Sequence, residues 1–168
     1  IYCRLLEHAA SEPSAARLMD DVFSDAEELV RHTFGHHVVE CALEHGLPHQ
    51  RLRIVKALRK DLMRNARNRN AAYVIEKALL YSSHEDRQAL ASDLLARPAA
   101  DVASLAKSQF GSMVVRALLR LPEDITKQVQ EQLRTSALQV KGTKHGRRLL
   151  NDHDLGIQTD AQAALAGA

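Results

Sequence analysis

Between Phe34 and Gly46 the chain reads FGHHVVECALEHG, three histidines, two glutamates and a cysteine inside one apolar stretch. Side chains of these types at helical spacing admit three chemistries. His36 with Glu40, or His37 with Cys41 and His45, fall four residues apart on a helix and are able to share a metal ion. A His–Glu pair is also acid–base machinery. Third, a cluster of polar side chains on one helix face can serve as a reading head for a ligand.

The rest of the chain discriminates among them, because the stretch is not unique. FGHHVVE at 34–40 has counterparts in NAAYVIE at 70–76, FGSMVVR at 110–116 and HGRRLLN at 145–151. Their last residues, Glu40, Glu76, Arg116 and Asn151, are 36, 40 and 35 residues apart, and CRLLEH at 3–8 matches ECALEH at 40–45 upstream. A period in this range with helical signals throughout means an α-solenoid, in which each unit buries its apolar face against its neighbours. The slots matching His36 and His37 hold Ala72 and Tyr73, then Ser112 and Met113, so no metal site is expected. No Gly-rich phosphate loop, Ser-centred elbow or HExxH motif occurs, so no catalytic residue, enzyme activity, cofactor or small-molecule substrate is expected.

The elements that must position these residues are helices. Leu and Ala dominate the 168 residues, aromatics make up 4% and Trp is absent, which favours helix over sheet. Apolar residues return at three and four over 25–32, 51–62, 86–95 and 124–133. Ser83-His84-Glu85-Asp86 has the form of a capping box, Pro13, Pro48 and Pro122 suit first turns, and Gly46 suits a helix stop. The fold class is all-α. A net charge of +2 permits a nucleic-acid partner only through a localised basic strip. Two cysteines, Cys3 and Cys41, make no disulfide framework and point to a reducing compartment; no apolar run is long enough to span a membrane.

At 100° per residue, Val38, Val39, Ala42 and Leu43 share one arc and pack inward, while His36, His37 and Glu40 face outward. Ala72, Tyr73 and Glu76, then Ser112, Met113 and Arg116, repeat those three slots. An apolar frame kept constant under a changing trio suits a periodic ligand. Repeats that read one base each with two or three side chains are one way to recognise single-stranded RNA.

The pattern (Phe/Tyr)-Gly-x-x-Val-Val-(Gln/Glu), followed by Leu-Glu-His-Gly, resembles the Pumilio/FBF (PUF) repeat, here over Ile1 to about Leu150. The resemblance implies a right-handed solenoid of three-helix repeats. Residues 1–155 then form a partial domain, comprising the end of a truncated repeat, three full repeats and a C-terminal cap, with 156–168 as a tail. Ile1 lies in mid-helix on this reading, so the chain is read as a fragment. The resemblance further implies that the first and third slots touch the base edge, the second stacks between bases, and the RNA runs antiparallel, its 5′ end at the C-terminal repeat. Glu76 and Glu40 offer acceptors to guanine, Arg116 a donor fork to cytosine, and Tyr73, His37 and Met113 stacking surfaces, giving a 5′-C-G-G-N core. Cys3 occupies a third slot in the truncated repeat, and Arg147 and Arg148 in the cap are further RNA candidates beside a reading of them as a solvated basic turn.

Two departures from the family pattern stand out. Ser112 and Arg116 replace the Asn and Gln that read the uridine of a UGU element, and Asn70-Ala71 replaces the aromatic-Gly pair. The role implied is messenger RNA recognition in 3′ untranslated regions for control of translation or decay. The protein would act in the cytoplasm, with nucleus or nucleolus as alternatives, and recruit effector proteins on its convex face. The competing reading is a helical-repeat scaffold that binds protein and has lost RNA.

Overall fold

In the computed structural model, which describes residues 1–153 and Leu155, the chain runs through thirteen α-helices and one 3-10 turn, with no strand among the described residues. Helices α1 (Tyr2–Ala9) and α2 (Pro13–Val22) lead through the 3-10 turn Phe23–Asp25 into three units of three helices. These are α3 (Ala26–Leu29), α4 (Gly35–His45) and α5 (Pro48–Lys60); α6 (Leu62–Arg67), α7 (Arg69–Tyr81) and α8 (His84–Leu95); and α9 (Ala99–Lys107), α10 (Gln109–Leu118) and α11 (Glu123–Thr135). Helices α12 (Ala137–Val140) and α13 (Lys144–Asp152) close the C-terminal end. The tail expected over 156–168 lies outside the described residues.

The middle helices form a ladder in which α1 touches α4, α4 touches α7, α7 touches α10 and α10 touches α13. What joins them is the apolar frame read from the sequence. Val39, Ala42 and Leu43, then Val74, Ile75, Ala78 and Leu79, then Val114, Val115, Ala117 and Leu118 all lie in one continuous core. On the other face the third helices are tied across units by polar contacts. Arg59 donates to both Asp93 oxygens at 2.6 and 3.2 Å, and Gln132 donates to the Leu95 carbonyl at 2.8 Å. No described helix is long and apolar enough to cross a membrane.

Helices α4, α7, α10 and α13 each start on a side chain that satisfies an otherwise orphaned amide. His32 Nδ1 accepts from Gly35 N at 3.0 Å, Asn68 Oδ1 from Ala71 N at 3.0 Å, Ser108 Oγ from Gly111 N at 3.1 Å and Thr143 Oγ1 from Gly146 N at 3.1 Å. Positions 32, 68, 108 and 143 keep the same spacing as the third slots. The residue capped is the Gly of the aromatic-Gly pair, and close approach explains the choice. A Cβ on Gly111 would stand 2.5 Å from the Leu105 carbonyl oxygen, and one on Gly146 2.0 Å from that of Val140. Ala71, which holds this position in α7, is fully buried. Asn70, in place of the aromatic, donates to the Arg31 carbonyl at 2.9 Å and so links two repeats.

Several boundaries differ from expectation. Residues 25–32 do not form one amphipathic helix. Helix α3 stops at Leu29, and the next turns bring Arg31 to Asn65 at 2.8 Å and the His32 ring to its capping position. The helix expected to run to Leu62 ends at Lys60, because Asp61 adopts φ −140° and ψ 60°. Pro122 is the residue before α11 rather than inside its first turn. Ser83 caps α8 as expected, accepting from Asp86 N at 3.1 Å, while its hydroxyl donates to the Asp86 carboxylate at 2.8 Å. The extra residues of the longest repeat step lie at Ala96–Pro98 and in the longer α9.

Candidate nucleic-acid interface

The three trios stand at matching positions of α4, α7 and α10, so stacking of the middle helices sets them in register. Their three slots are not equally open. The second slots are the accessible ones: the His37 side chain is 65% exposed, Tyr73 is 40% exposed and Met113 is half-buried. Glu40, Glu76 and Arg116 are half-buried in the third slots.

The first slots correct the outward assignment. His36 is 6% exposed, Ala72 0% and Ser112 1%. The cause is helical geometry. A first slot lies about 20° around the helix from the apolar residue seven positions later, which is Leu43 for His36 and Leu79 for Ala72. It therefore sits at the flank of the buried stripe, which the third slot, about 40° to the other side, clears in part and the second slot, about 100° around, clears most. Ser112 spends its hydroxyl on the Gln109 carbonyl at 2.8 Å.

Two adjoining cavities run along this face. One, of about 680 Å³, is lined by Phe34, His36, His37, Glu40, Arg69 and Tyr73 among others. The second, of about 390 Å³, is lined by Glu40, Tyr73, Glu76, Arg87, Arg120 and Leu121 among others. Glu40 and Tyr73 belong to both, so the Tyr73 ring stands between two compartments of one trough. Ser112, Met113 and Arg116 line neither cavity.

Arg120, which the sequence reading did not single out, borders the second compartment, and two third-slot charges are paired across units. Arg120 Nη1 donates to Glu76 Oε1 at 3.4 Å, and Arg116 Nη2 donates to Asp152 Oδ2 at 3.2 Å. Each third-slot charge of the last two repeats is thus held by a residue from the next unit. Lys77 pairs with Glu44, the contact that raises its pKa most, and its ammonium lies 5.2 Å from the Tyr81 ring centroid. Among the described residues Glu40 has no ion pair with Arg or Lys. Burial pushes its carboxyl above the usual range, against the pull of His36 and His37, each 3.7 Å away, and of Lys77, which is paired with Glu44.

The weaker candidates scatter. Cys3, at the α1–α4 contact, has its thiol 3.8 Å from the His37 carbonyl oxygen. It also lies beside Cys41, whose own thiol is pushed up to about 12 by burial first and by Cys3 second. Arg147 is exposed and donates to the Lys141 carbonyl at 3.0 Å, while Arg148 lies 3.8 Å from the Asp152 carboxylate that also holds Arg116. Cys41 and His45 do not join His36 and His37; the grouped side chains are His36, His37 and Glu40.

Comparison with known proteins gives the same architecture. Residues 26–59 and 66–95 match the family model described as the Pumilio-family RNA binding repeat. No curated protein sequence matches the chain. Among solved structures, PUF-8 in complex with PBE-RNA superposes with a TM-score of 0.82 at 20% identity, over 91% of this chain and 45% of that one. The Puf3 RNA binding domain bound to a Cox17 RNA 3′ UTR recognition sequence gives 0.76 at 23% identity, over 98% and 47%. Yeast Puf5p bound to SMX2 RNA gives 0.71 at 14%, over 88% and 44%. The chain spans about half the length of these proteins. Residues 26–59 and 66–95 thus carry two directly matched Pumilio-family repeats, and the chain along nearly its whole length has the fold of such domains.

Proposed function

We propose that the middle-helix face binds single-stranded RNA, one base per repeat, with the 5′ end toward α13. The observation that carries this reading is the placement of Tyr73 between two compartments, each bordered by a third-slot carboxylate. A base in each compartment stacks on the ring between them, worth ~1–3 kcal/mol per base. Its donor edge then meets Glu40 on one side or Glu76 on the other, both acceptor-only when ionised. Arg116 presents donors to the O2 and N3 acceptors of cytosine at the preceding position. Solved relatives of the same fold are bound to RNA, one of them to a 3′ UTR recognition sequence. That supports messenger RNA as the ligand class; post-transcriptional control, effector proteins on the convex face and action in the cytoplasm are parts of the same proposal.

One feature favours the scaffold reading locally, since Leu79, Leu80, Leu121 and Pro122 give the second cavity an apolar wall suited to a peptide. Selection from a random RNA pool separates the two. The RNA reading expects enrichment of a C-G-G core, with micromolar or weaker affinity for three repeats and weakening as salt rises. Absence of any enriched core, or tight salt-independent binding to duplex DNA, would sink it.

A further inference from the structure

We propose that His36, His37 and Glu40 form a site for one divalent transition-metal ion of the zinc class on the middle helix of the first full repeat. The argument starts with the His36 ring, which is nearly buried at 6% exposure. Its Nδ1 lies 2.8 Å from the His32 carbonyl oxygen. A carbonyl only accepts, so Nδ1 carries a hydrogen, and in the neutral form of the ring Nε2 is the nitrogen left to bind a cation beside Glu40. That nitrogen is 3.7 Å from Glu40 Oε1, and His37 Nδ1 is 3.7 Å from the same oxygen. With the rings neutral and their facing nitrogens unprotonated, the three groups present converging lone pairs, the arrangement a cation requires. Among the described residues the half-buried carboxyl makes no ion pair with Arg or Lys, since the nearby Lys77 is paired with Glu44.

The dimensions suit a metal. The ligand atoms of the three residues lie within 4.8 Å of one another. Zinc bonds of about 2.0–2.2 Å to His nitrogen and carboxylate oxygen place tetrahedral donors roughly 3.3–3.5 Å apart. The two measured 3.7 Å separations need only a small contraction, which the exposed His37 ring and the Glu40 side chain can supply. The His32 carbonyl already acts as the outer partner that fixes the tautomer and aims the ring, as in established zinc sites. Two nitrogens and one carboxylate leave a fourth position, which opens into the 680 Å³ cavity and can take water or a ligand atom.

The sequence expectation of no metal rested on the failure of these residue types to recur in the other repeats. A metal site needs no recurrence, only the local convergence found here. Occupancy claims the Glu40 carboxylate, so metal and carboxylate reading of guanine by this repeat exclude each other. The proposal rests on the trio's geometry and does not require that RNA binds.

The test uses Co²⁺ as a visible probe on tag-free, chelator-treated protein without RNA. The expected result is uptake of one equivalent, with the d–d bands of a four- or five-coordinate ion that Zn²⁺ displaces. His37→Ala and Glu40→Gln should each weaken it about 100-fold or more, since loss of an outer partner alone costs about 10–100-fold. His45→Ala, outside the cluster, should leave it unchanged. His37 is exposed, so its truncation spares the core. Uptake insensitive to both variants, a thiolate charge-transfer band implicating Cys3 and Cys41, or no one-equivalent uptake overturns the site. RNA binding is measured separately in chelator, so either result stands without the other.

Discussion

Replacing Glu76 with Gln changes the charge and hydrogen-bond pattern of the α7 third slot while keeping its size, so the trough retains its shape. The stability cost follows from the Arg120 contact. At 3.4 Å, with side chains 36% and 69% exposed, that pair belongs to the exposed class worth ~0.2–1 kcal/mol. The recognition cost is larger. A carboxylate accepts from both donors on guanine's Watson–Crick edge, whereas an amide turned to accept from one sets its own donors against the other. Loss of a bidentate contact costs ~1–3 kcal/mol, about a 5- to 150-fold fall in preference for guanine at the second base. The assay is fluorescence anisotropy with four short RNAs that differ only at that base, alongside thermal unfolding of both proteins. Preference for guanine should collapse while Tm moves little. Uniform weakening of all four RNAs would show that Glu76 acts through charge or structure and refute base reading by this slot.

Other outcomes follow from the same geometry. Arg116→Gln removes the donor fork and its 3.2 Å contact with Asp152, and should shift the first base away from cytosine while leaving the second base unchanged in the same assay. Gly146→Ala drives a Cβ to within 2.0 Å of the Val140 carbonyl oxygen and should destabilise the C-terminal unit by ~1–3 kcal/mol in denaturant unfolding, despite the better helix propensity of Ala. Burial pushes the Asp20 carboxyl up, but hydrogen bonds from Gln50 and His49 and the nearby charges of His49 and Arg53 outweigh it and hold the carboxyl below its ordinary value. A lowered native value stabilises the fold fully above about pH 4 and loses that contribution as pH falls through the native value, so Asp20→Asn should flatten the acid limb of Tm against pH.

The sequence by itself determined the repeat and its frame. The spacing of Glu40, Glu76, Arg116 and Asn151 set the unit length, and the Val-Val or Val-Ile pairs with the following Ala and Leu set the stripe that became the core. Both are legible because they depend on helix pitch, a property of neighbouring residues. The caps His32, Asn68, Ser108 and Thr143 kept the same spacing and were visible in principle, but four different residue types occupy one role. Only the tertiary structure decided what crosses between units. It buried the first slots, because their flank of the helix meets the stripe, and it gave Glu76 its Arg120 and Arg116 its Asp152. Those partners lie 44 and 36 residues away, a relation fixed by how one repeat stacks on the next and by nothing in the local pattern. The ligand atoms of His36, His37 and Glu40 come together for a similar reason: the His36 ring is held by its contact with the His32 carbonyl, a backbone contact the sequence does not display.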